Sequence, residues 1–276
     1  MERIISILKE FFGFGGYQRE PEGYMTWQHL TYASVFTIIM LICAIALGIK
    51  YSKKSDKEKN KVLIFSAIAI NVFEITRIVV LCWRGNNPMG WTGQLPLFLC
   101  SIQFIAIPLA AFSKGRIKEA ALDFVTIFGM LGAIMGTYFA GQNYGCYPLF
   151  SVDNIVSAIT HCMSGFVALY IMISGMISMK KKNMWITLTI LFGFAIAAYI
   201  ANIYTDANYM FLSRGDGTPY TLIENLFDDL FGTAIGNIVY PLTVIGLFVL
   251  YIAVFYGVYF AILKNLEKKH GSTVKA

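Results

Sequence analysis

The run YASVFTIIMLICAIALGI (residues 32–49) and the run KYSKKSDKEKNK (residues 50–61) that follows it decide the fold of this chain. The first run contains no charged residue, and as a helix it covers roughly 27 Å, close to the hydrocarbon thickness of a bilayer. The second run carries six lysines, a density of positive charge typical of the cytoplasmic side of a membrane. Together they predict a membrane-spanning helix that ends in the cytoplasm.

The composition of the whole chain agrees with this prediction. Of its 276 residues, 57% are apolar and 14% are charged, and the mean hydropathy is +0.62, which is far from the range of soluble domains. The apolar residues form continuous runs, whereas the strands of a membrane barrel would alternate. We therefore predict an all-α fold, a polytopic seven-helix transmembrane bundle. Its predicted spans are Tyr32 to Ile49, Val62 to Leu81, Leu95 to Phe112, Phe124 to Ala140, Ile155 to Ser178, Met184 to Ile203 and Ile238 to Leu263.

The positive charges predict the orientation of the bundle. Lysine and arginine cluster in every second connection, at residues 50–61, 114–118 and 180–182, and again in the tail after Leu263. Because such clusters stay on the cytoplasmic side, the N-terminus is predicted outside and the C-terminus in the cytoplasm of a cell-membrane protein. The dispersed basic charge indicates membrane lipids as the partner and not nucleic acid.

The chain is predicted to form a single integral membrane domain over residues 1–276. Residues 1–24 are predicted as an interfacial helix followed by a linker, and residues 264–276 as a cytoplasmic tail. The outer segment 204–237 is rich in aromatic residues and is predicted to be at least partly ordered, as a re-entrant or lid-like segment.

Three polar residues on the second predicted span share one helical face, because Asn71, Glu74 and Arg77 are each three positions apart. Charged groups in the hydrocarbon layer are costly and often mark a binding or transport site. The alternative is that Glu74 and Arg77 form an ion pair that only ties helices together.

Cys100 on the third predicted span and His161 on the fifth lie at nearly the same depth below the outer surface, and Arg77 lies at a similar depth. A thiol beside an imidazole is the arrangement for acyl transfer through a thioester. The alternative is an inert small cysteine and a histidine that hydrogen-bonds a neighbouring helix. Equal depth does not establish contact between the two side chains.

The remaining cysteines and histidines show no zinc-binding spacing, so no metal and no cofactor are predicted. Cys82 and Cys146 both lie toward the outer side, and a disulfide between them stays open. A retinal-binding pump is excluded, because the last predicted span has no lysine before Lys264.

The segments LPLFLCSI (residues 95–102) and NYMFL (residues 208–212), with His161 between them, resemble the YwaF-type bacterial membrane proteins, which are related to transmembrane protein 164. The resemblance implies a cysteine-dependent phospholipid acyltransferase in which Cys100 carries the acyl group and His161 is the base. It also implies that Asn208 and Tyr209 line the lipid entry or contact the headgroup. The sequence departs from the resemblance at Phe98, where family members often carry a polar residue.

Three functional classes stay open at this point. The first is a lipid acyltransferase with Cys100 and His161 as catalytic residues and with Asn71 or Asn202 as the oxyanion donor. The second is a transporter or ligand-binding protein with a polar cavity that includes Asn71, Glu74 and Arg77. The third is a structural membrane protein whose polar residues only hold helices together.

Overall fold

A computed structural model describes residues 2–177, 179–216 and 218–270 of the chain. The described residues form helices, turns and loops and contain no strand, which confirms the all-α prediction. The α-helices are α1 (Glu2–Phe12), α2 (Trp27–Ser52), α3 (Asp56–Arg84), α4 (Gln103–Phe112), α5 (Gly115–Tyr138), α6 (Gly141–Cys146), α7 (Val152–Ile173), α8 (Met184–Tyr204), α9 (Tyr220–Phe231) and α10 (Thr233–His270). Three short 3-10 helices lie at Gly90–Gln94, Lys181–Asn183 and Tyr209–Phe211.

Within the described part of the chain, six helical segments are long and apolar enough to cross a membrane, and they contain α2, α3, α5, α7, α8 and α10. The chain is therefore a multi-pass membrane protein. Its contacts divide it into two compact units, Met1–Ile177 and Ser178–Ala276, which are described separately below.

The third predicted span, Leu95 to Phe112, is not a continuous helix. Residues 95–102 form consecutive turns, and only the ten residues of α4 are helical. In these turns the Ser101 hydroxyl accepts a hydrogen bond from the Phe98 N–H and donates one to the Phe98 carbonyl. Hydropathy measures how apolar a segment is and not its backbone conformation, so an apolar run of turns is predicted as a helix.

The broken segment still runs along more than half of α3. Gln94, at its start, contacts Arg77 near the C-terminal end of α3, and Ala111, at its end, accepts a hydrogen bond from Asn60 near the N-terminal end. Arg77 and Asn60 are about 25 Å apart at the helical rise per residue. The turns and α4 together therefore cover most of the thickness of a bilayer.

A proline in α4 removes one backbone hydrogen bond, and a side chain of α3 replaces it. Pro108 has no N–H, so the carbonyl of Phe104 lacks its usual donor four residues later. The side-chain amide of Asn71 on α3 donates to this carbonyl at 3.0 Å and to the carbonyl of Ala67 at 2.9 Å. Asn71, predicted as a substrate-binding residue, thus completes the hydrogen bonding of α4.

Local capping signals set several helix boundaries. Ser55 and Glu58 form a capping box that begins α3 directly after a three-residue turn, so most of the predicted cytoplasmic loop 50–61 is helical. Ser151 caps α7, and Gly175, with φ at 73°, lies in the turn that follows this helix. The end of the predicted fifth span, Ser178, lies outside the described residues.

Helix α5 lies at the centre of the first unit and packs against α2, α4 and α7. Of its most apolar stretch, 78% is buried, against 28% for α2 and for α3, although its mean hydropathy is the lowest of the six spans. A helix that contacts protein on all sides is not selected for contact with lipid, and small residues let its neighbours approach closely. This explains why the fourth predicted span is rich in glycine.

A polar cluster holds the N-terminal segment against α3 and α7. The Tyr17 hydroxyl donates to the carboxylate of Asp153 at 2.6 Å, and Arg84 donates to the same carboxylate at 2.7 and 3.2 Å. Burial raises the pKa of the Tyr17 hydroxyl, and the hydrogen bond to Asp153 raises it further, so Tyr17 stays a donor at physiological pH. Helix α1 forms as predicted, with Ile4 and Leu8 exposed.

In the second unit α9 packs along the beginning of α10. The Tyr220 ring lies 6.4 Å from the Phe248 ring, and a side chain at Gly236 would overlap the Asp228 carboxylate. The predicted outer segment 204–237 thus contains two helical elements, α9 and the 3-10 helix Tyr209–Phe211. Gly217 lies outside the described residues.

We expect Asn71→Leu to lower the free energy of unfolding by about 1–3 kcal/mol, because it leaves the Phe104 carbonyl without a donor. Pro108→Ala supplies an N–H to the same carbonyl, so we expect the double variant to recover part of this loss. The measurement is thermal unfolding of the four proteins in one detergent. A double variant no more stable than Asn71→Leu would contradict this account.

Candidate functional site

A cavity of about 180 Å3 in the first unit contains most of the polar residues singled out in the sequence. It lies between the C-terminal half of α3, the turns at 95–102 and the first half of α7, with one residue from α6. Its polar lining consists of Glu74, Arg77, Gln94, Cys100, Ser101, Asn143, Ser157, Thr160 and His161. The predicted convergence of Cys100, His161 and Arg77 is therefore present as a shared cavity.

Cys100 lies in the turns that replace the third predicted span. The backbone N–H groups of Ser101 and of Cys100 itself lie near its sulfur. A continuous helix would direct these N–H groups to carbonyls four residues earlier. The break in the helix thus turns backbone donors toward the thiol.

The orientation of His161 on α7 is fixed through its Nδ1 atom. Nδ1 lies 2.7 Å from the carbonyl oxygen of Ser157, one turn earlier, and 3.3 Å from the Ser157 hydroxyl. A carbonyl only accepts, so Nδ1 carries the proton of the neutral ring and Nε2 carries the free electron pair. Asn143 donates to the Ser157 hydroxyl at 3.2 Å, which positions this hydroxyl beside the ring.

Glu74 and Arg77 form the predicted ion pair within α3. Arg77 donates from Nε to Glu74 at 3.1 Å and from Nη2 at 2.5 Å, and Glu74 is 8% exposed. Nη2 of Arg77 also donates to the Gln94 side-chain oxygen at 2.7 Å. Nη1 of Arg77 has no hydrogen-bond partner among the described residues, and Arg77 lines the cavity.

Two glycines of α5 leave the space that Cys100 and His161 occupy. A Cβ at Gly132 would lie 3.3 Å from the Cys100 Cα and 3.5 Å from its Cβ. A Cβ at Gly136 would overlap the imidazole ring of His161. The two glycines are one turn apart, about 6 Å of helix rise, so Cys100 and His161 lie against neighbouring turns of one helix.

The remaining predicted site residues lie elsewhere. Asn71 does not belong to the cavity lining, because its amide binds the Phe104 and Ala67 carbonyls. Asn208 and Tyr209 belong to the second unit, where Asn208 donates to the Arg214 carbonyl at 2.6 Å and to Asp216 at 2.8 Å.

The NYMFL segment in the second unit has an unusual backbone. Asn202 holds its start, because the Asn202 side chain accepts from the Tyr209 N–H at 2.7 Å and donates to the Tyr209 carbonyl at 3.1 Å. Met210 and Phe211 then have φ of 55° and 56°, which residues with a Cβ rarely adopt. Asn202, one of the two oxyanion donors considered from the sequence, is thus occupied by the backbone of this turn.

Five polar residues of the cavity were not predicted as site residues from the sequence, namely Gln94, Ser101, Asn143, Ser157 and Thr160. Gln94 lies just before the LPLFLCSI segment, in a connection that was predicted to lie outside the membrane. Asn143 lies in α6, after the end of the fourth predicted span. Ser157 precedes His161 by four residues, and this helical spacing is the one signal in the sequence that associates it with the site.

The comparison with protein families agrees with the resemblance noted in the sequence. The TMEM164 family model matches residues 24–263, which cover all of the cavity residues and the NYMFL segment. The chain belongs to the TMEM164 family. The match confirms the predicted relationship to transmembrane protein 164, and it begins after α1 and the linker that follows it. No curated protein and no solved structure matches the chain.

In this TMEM164 family member we expect Gly136→Ala to lower the free energy of unfolding by about 1–3 kcal/mol, because the added methyl group overlaps His161. The destabilisation should shrink in a His161→Ala background, where the overlapping ring is absent. Both effects are measured by thermal unfolding in detergent.

The matched control is Gly193→Ala on α8, where an added Cβ meets no atom within 4 Å. There alanine should stabilise the helix by about 0.5–1 kcal/mol or leave it unchanged. If Gly136→Ala destabilises the wild type and His161→Ala equally, the explanation by close packing of α5 against the His161 ring is wrong.

Proposed function

We propose that this protein transfers acyl chains between phospholipids through a thioester on Cys100, with His161 as the general base. The observation that carries the proposal is that Cys100 and His161 line one cavity between α3, α7 and the turns at 95–102. A pocket with a potential nucleophile and a potential base is the arrangement that nucleophilic catalysis requires. The membership in the TMEM164 family and the resemblance to a cysteine-dependent acyltransferase support the same chemistry.

The proposed reaction has two balanced steps. In the first, Nε2 of His161 takes the thiol proton, the sulfur of Cys100 forms a bond to the ester carbonyl carbon, and the bond from that carbon to the glycerol oxygen breaks. The leaving oxygen receives the proton from His161, and a lysophospholipid departs. In the second, His161 takes the proton from the hydroxyl of another lysophospholipid, that oxygen forms a bond to the thioester carbon, and the bond from this carbon to the sulfur breaks. The sulfur receives the proton from His161, which restores the thiol, and a phospholipid departs. No cofactor takes part.

Arg77 is the proposed contact for the phosphate of the substrate. Its Nη1 group has no partner among the described residues, and guanidinium groups bind phosphate oxygens well. Glu74 holds Arg77 in place and lies where it can approach a cationic headgroup. A contact of Asn208 and Tyr209 with the headgroup stays a prediction from the resemblance. Asn71 is reassigned to a structural role.

A second candidate function is binding or transport of a small polar ligand. The buried ion pair between Glu74 and Arg77 favours it, because charged groups inside a membrane often mark such a pathway. This function needs the ion pair and the cavity but not the thiol of Cys100. Replacement of Cys100 therefore separates the two functions.

We further propose that the chain crosses the cell membrane seven times, with the N-terminus outside and the C-terminus in the cytoplasm. The clusters of lysine and arginine at alternate connections support this orientation. In the proposal, the turns at 95–102 and α4 make the third crossing. Irregular backbone is tolerated at membrane depth where it lines a polar cavity, and these turns line one. Membrane lipids are then both solvent and substrate.

For the acyl-transfer proposal we expect wild-type protein in phospholipid nanodiscs to acquire an acyl group that hydroxylamine removes. Cys100→Ala should eliminate this adduct, and His161→Ala should slow its formation by about 100-fold or more, since general base catalysis typically contributes that much. The measurement is intact-mass spectrometry over time. Cys43→Ala is the control, because Cys43 is exposed and does not belong to the cavity lining.

An adduct that persists in Cys100→Ala would assign the thioester to another cysteine. If no lipid acylates the wild type, while a polar ligand stabilises both the wild type and Cys100→Ala, the binding function replaces the acyltransferase.

The proposed topology predicts which loops face the cell exterior. In a variant whose five native cysteines are replaced by alanine, Asn87→Cys should react with a membrane-impermeant maleimide in intact cells. Lys54→Cys should react only after the cells are permeabilised. Both positions are exposed. The reverse labelling pattern would contradict the proposed orientation.

A further inference from the structure

The side chain of Gln94 has a fixed orientation at the edge of the cavity. It ends the 3-10 helix Gly90–Gln94, and its oxygen accepts the hydrogen bond from Nη2 of Arg77 at 2.7 Å. A guanidinium only donates, so the oxygen of the amide faces Arg77 and the NH2 group points away from it. Arg77 cannot turn freely, because two hydrogen bonds hold it on Glu74.

The NH2 group of Gln94 donates to no acceptor among the described residues. Gln94 lines the cavity together with Cys100 and His161. This nitrogen is not among the buried polar atoms without a partner, so it stays accessible, and an accessible amide N–H can donate to an oxygen atom of a bound ligand. The two N–H bonds of this amide are therefore available to a group bound in the cavity.

We propose that Gln94 is a catalytic residue that donates a hydrogen bond to the oxyanion formed when Cys100 attacks the substrate ester. This inference rests on the proposed acyl transfer. As the bond between the sulfur and the carbonyl carbon forms, the electron pair of the C=O double bond moves to the oxygen, which becomes negatively charged. Preorganised N–H donors that meet this charge lower the barrier to the reaction.

The contacts around Gln94 strengthen it as a donor. The hydrogen bond from the cationic Arg77 to the amide oxygen draws electron density away from the amide nitrogen, which makes its N–H bonds more acidic. Glu74 holds Arg77 in position, and no hydrogen bond joins Glu74 to Gln94 among the described residues.

The two amides considered from the sequence do not fill this role. Both N–H bonds of the Asn71 amide already donate, one to Ala67 and one to Phe104. Asn202 lies in the second unit, where its amide binds both backbone groups of Tyr209. Gln94 is the cavity-lining amide whose oxygen is bound and whose nitrogen is not.

The test compares two reactions of the same thiol in wild-type protein and Gln94→Met. Acylation by the 4-nitrophenyl ester of octanoic acid passes through an oxyanion. Its rate is measured from the release of nitrophenolate. Alkylation by iodoacetamide displaces iodide directly and forms no oxyanion. We expect Gln94→Met to slow acylation by about 100-fold to 1,000-fold, the loss typical of one oxyanion donor, and to leave alkylation unchanged.

Two further variants make the test specific. Gln94→Glu retains an oxygen for Arg77 and nearly the same shape but has no N–H donor, so it should lose acylation as Gln94→Met does. Gln28→Met makes the same change at a half-buried position outside the cavity lining and should leave both reactions unchanged.

Acylation of Gln94→Met at the wild-type rate would overturn the role of Gln94 and leave the acyl transfer intact. A parallel loss of alkylation would also overturn it, because the residue would then act on the thiol and not on the oxyanion. If the ester does not acylate even the wild type, although iodoacetamide alkylates Cys100, the proposed acyl transfer fails and the inference fails with it.

Discussion

Backbone that leaves the helical conformation inside a membrane must find a partner for each N–H and C=O group, because lipid offers none. In the proposed seven-span topology, the first unit meets this constraint with polar side chains that bind the free backbone groups. Asn71 binds the carbonyl that Pro108 leaves free, Ser101 binds both backbone groups of Phe98, and Asn60 binds the carbonyl of Ala111. These contacts let the third segment contain turns where a continuous helix was predicted. Cys100 lies in these turns.

The same constraint explains the glycines of α5. The central helix leaves room for its neighbours, because Gly132 and Gly136 have no Cβ. Gly132 accommodates the backbone of Cys100, and Gly136 accommodates the ring of His161. A third glycine, Gly129, continues the row against the Ser164 carbonyl and brings α7 close to α5. The spacing of small residues along one helix therefore sets the distance between the two reactive side chains.

The sequence predicts much of this arrangement, and its failures have physical causes. Depth along a helix is a simple function of residue number, so the predicted helices place His161 and Arg77 correctly in one region. Cys100 lines the same cavity, although its segment forms turns and not the helix from which its depth was predicted. The third segment is mispredicted because a helix and buried turns can have the same hydropathy. The role of Asn71 is mispredicted because a polar residue at membrane depth can bind a backbone carbonyl as well as a substrate. Gln94 and Asn143 are missed because they enter the cavity from connections.

The charges of the cavity constrain the order of the proton transfers in the proposed reaction. Glu74 and Arg77 neutralise each other, so the empty cavity has no net charge as long as Cys100 and His161 are both neutral. Separating a thiolate from an imidazolium in a site of low dielectric constant is costly unless other groups stabilise both ions. The thiol proton therefore moves to His161 as the sulfur attacks, when the negative charge passes to the substrate oxygen. The phosphate of the same lipid brings a further negative charge, and the free Nη1 group of Arg77 can donate a hydrogen bond to it without breaking the pair with Glu74. A zwitterionic headgroup fits this site better than an anionic one, because its ammonium group offsets the charge that remains on Glu74.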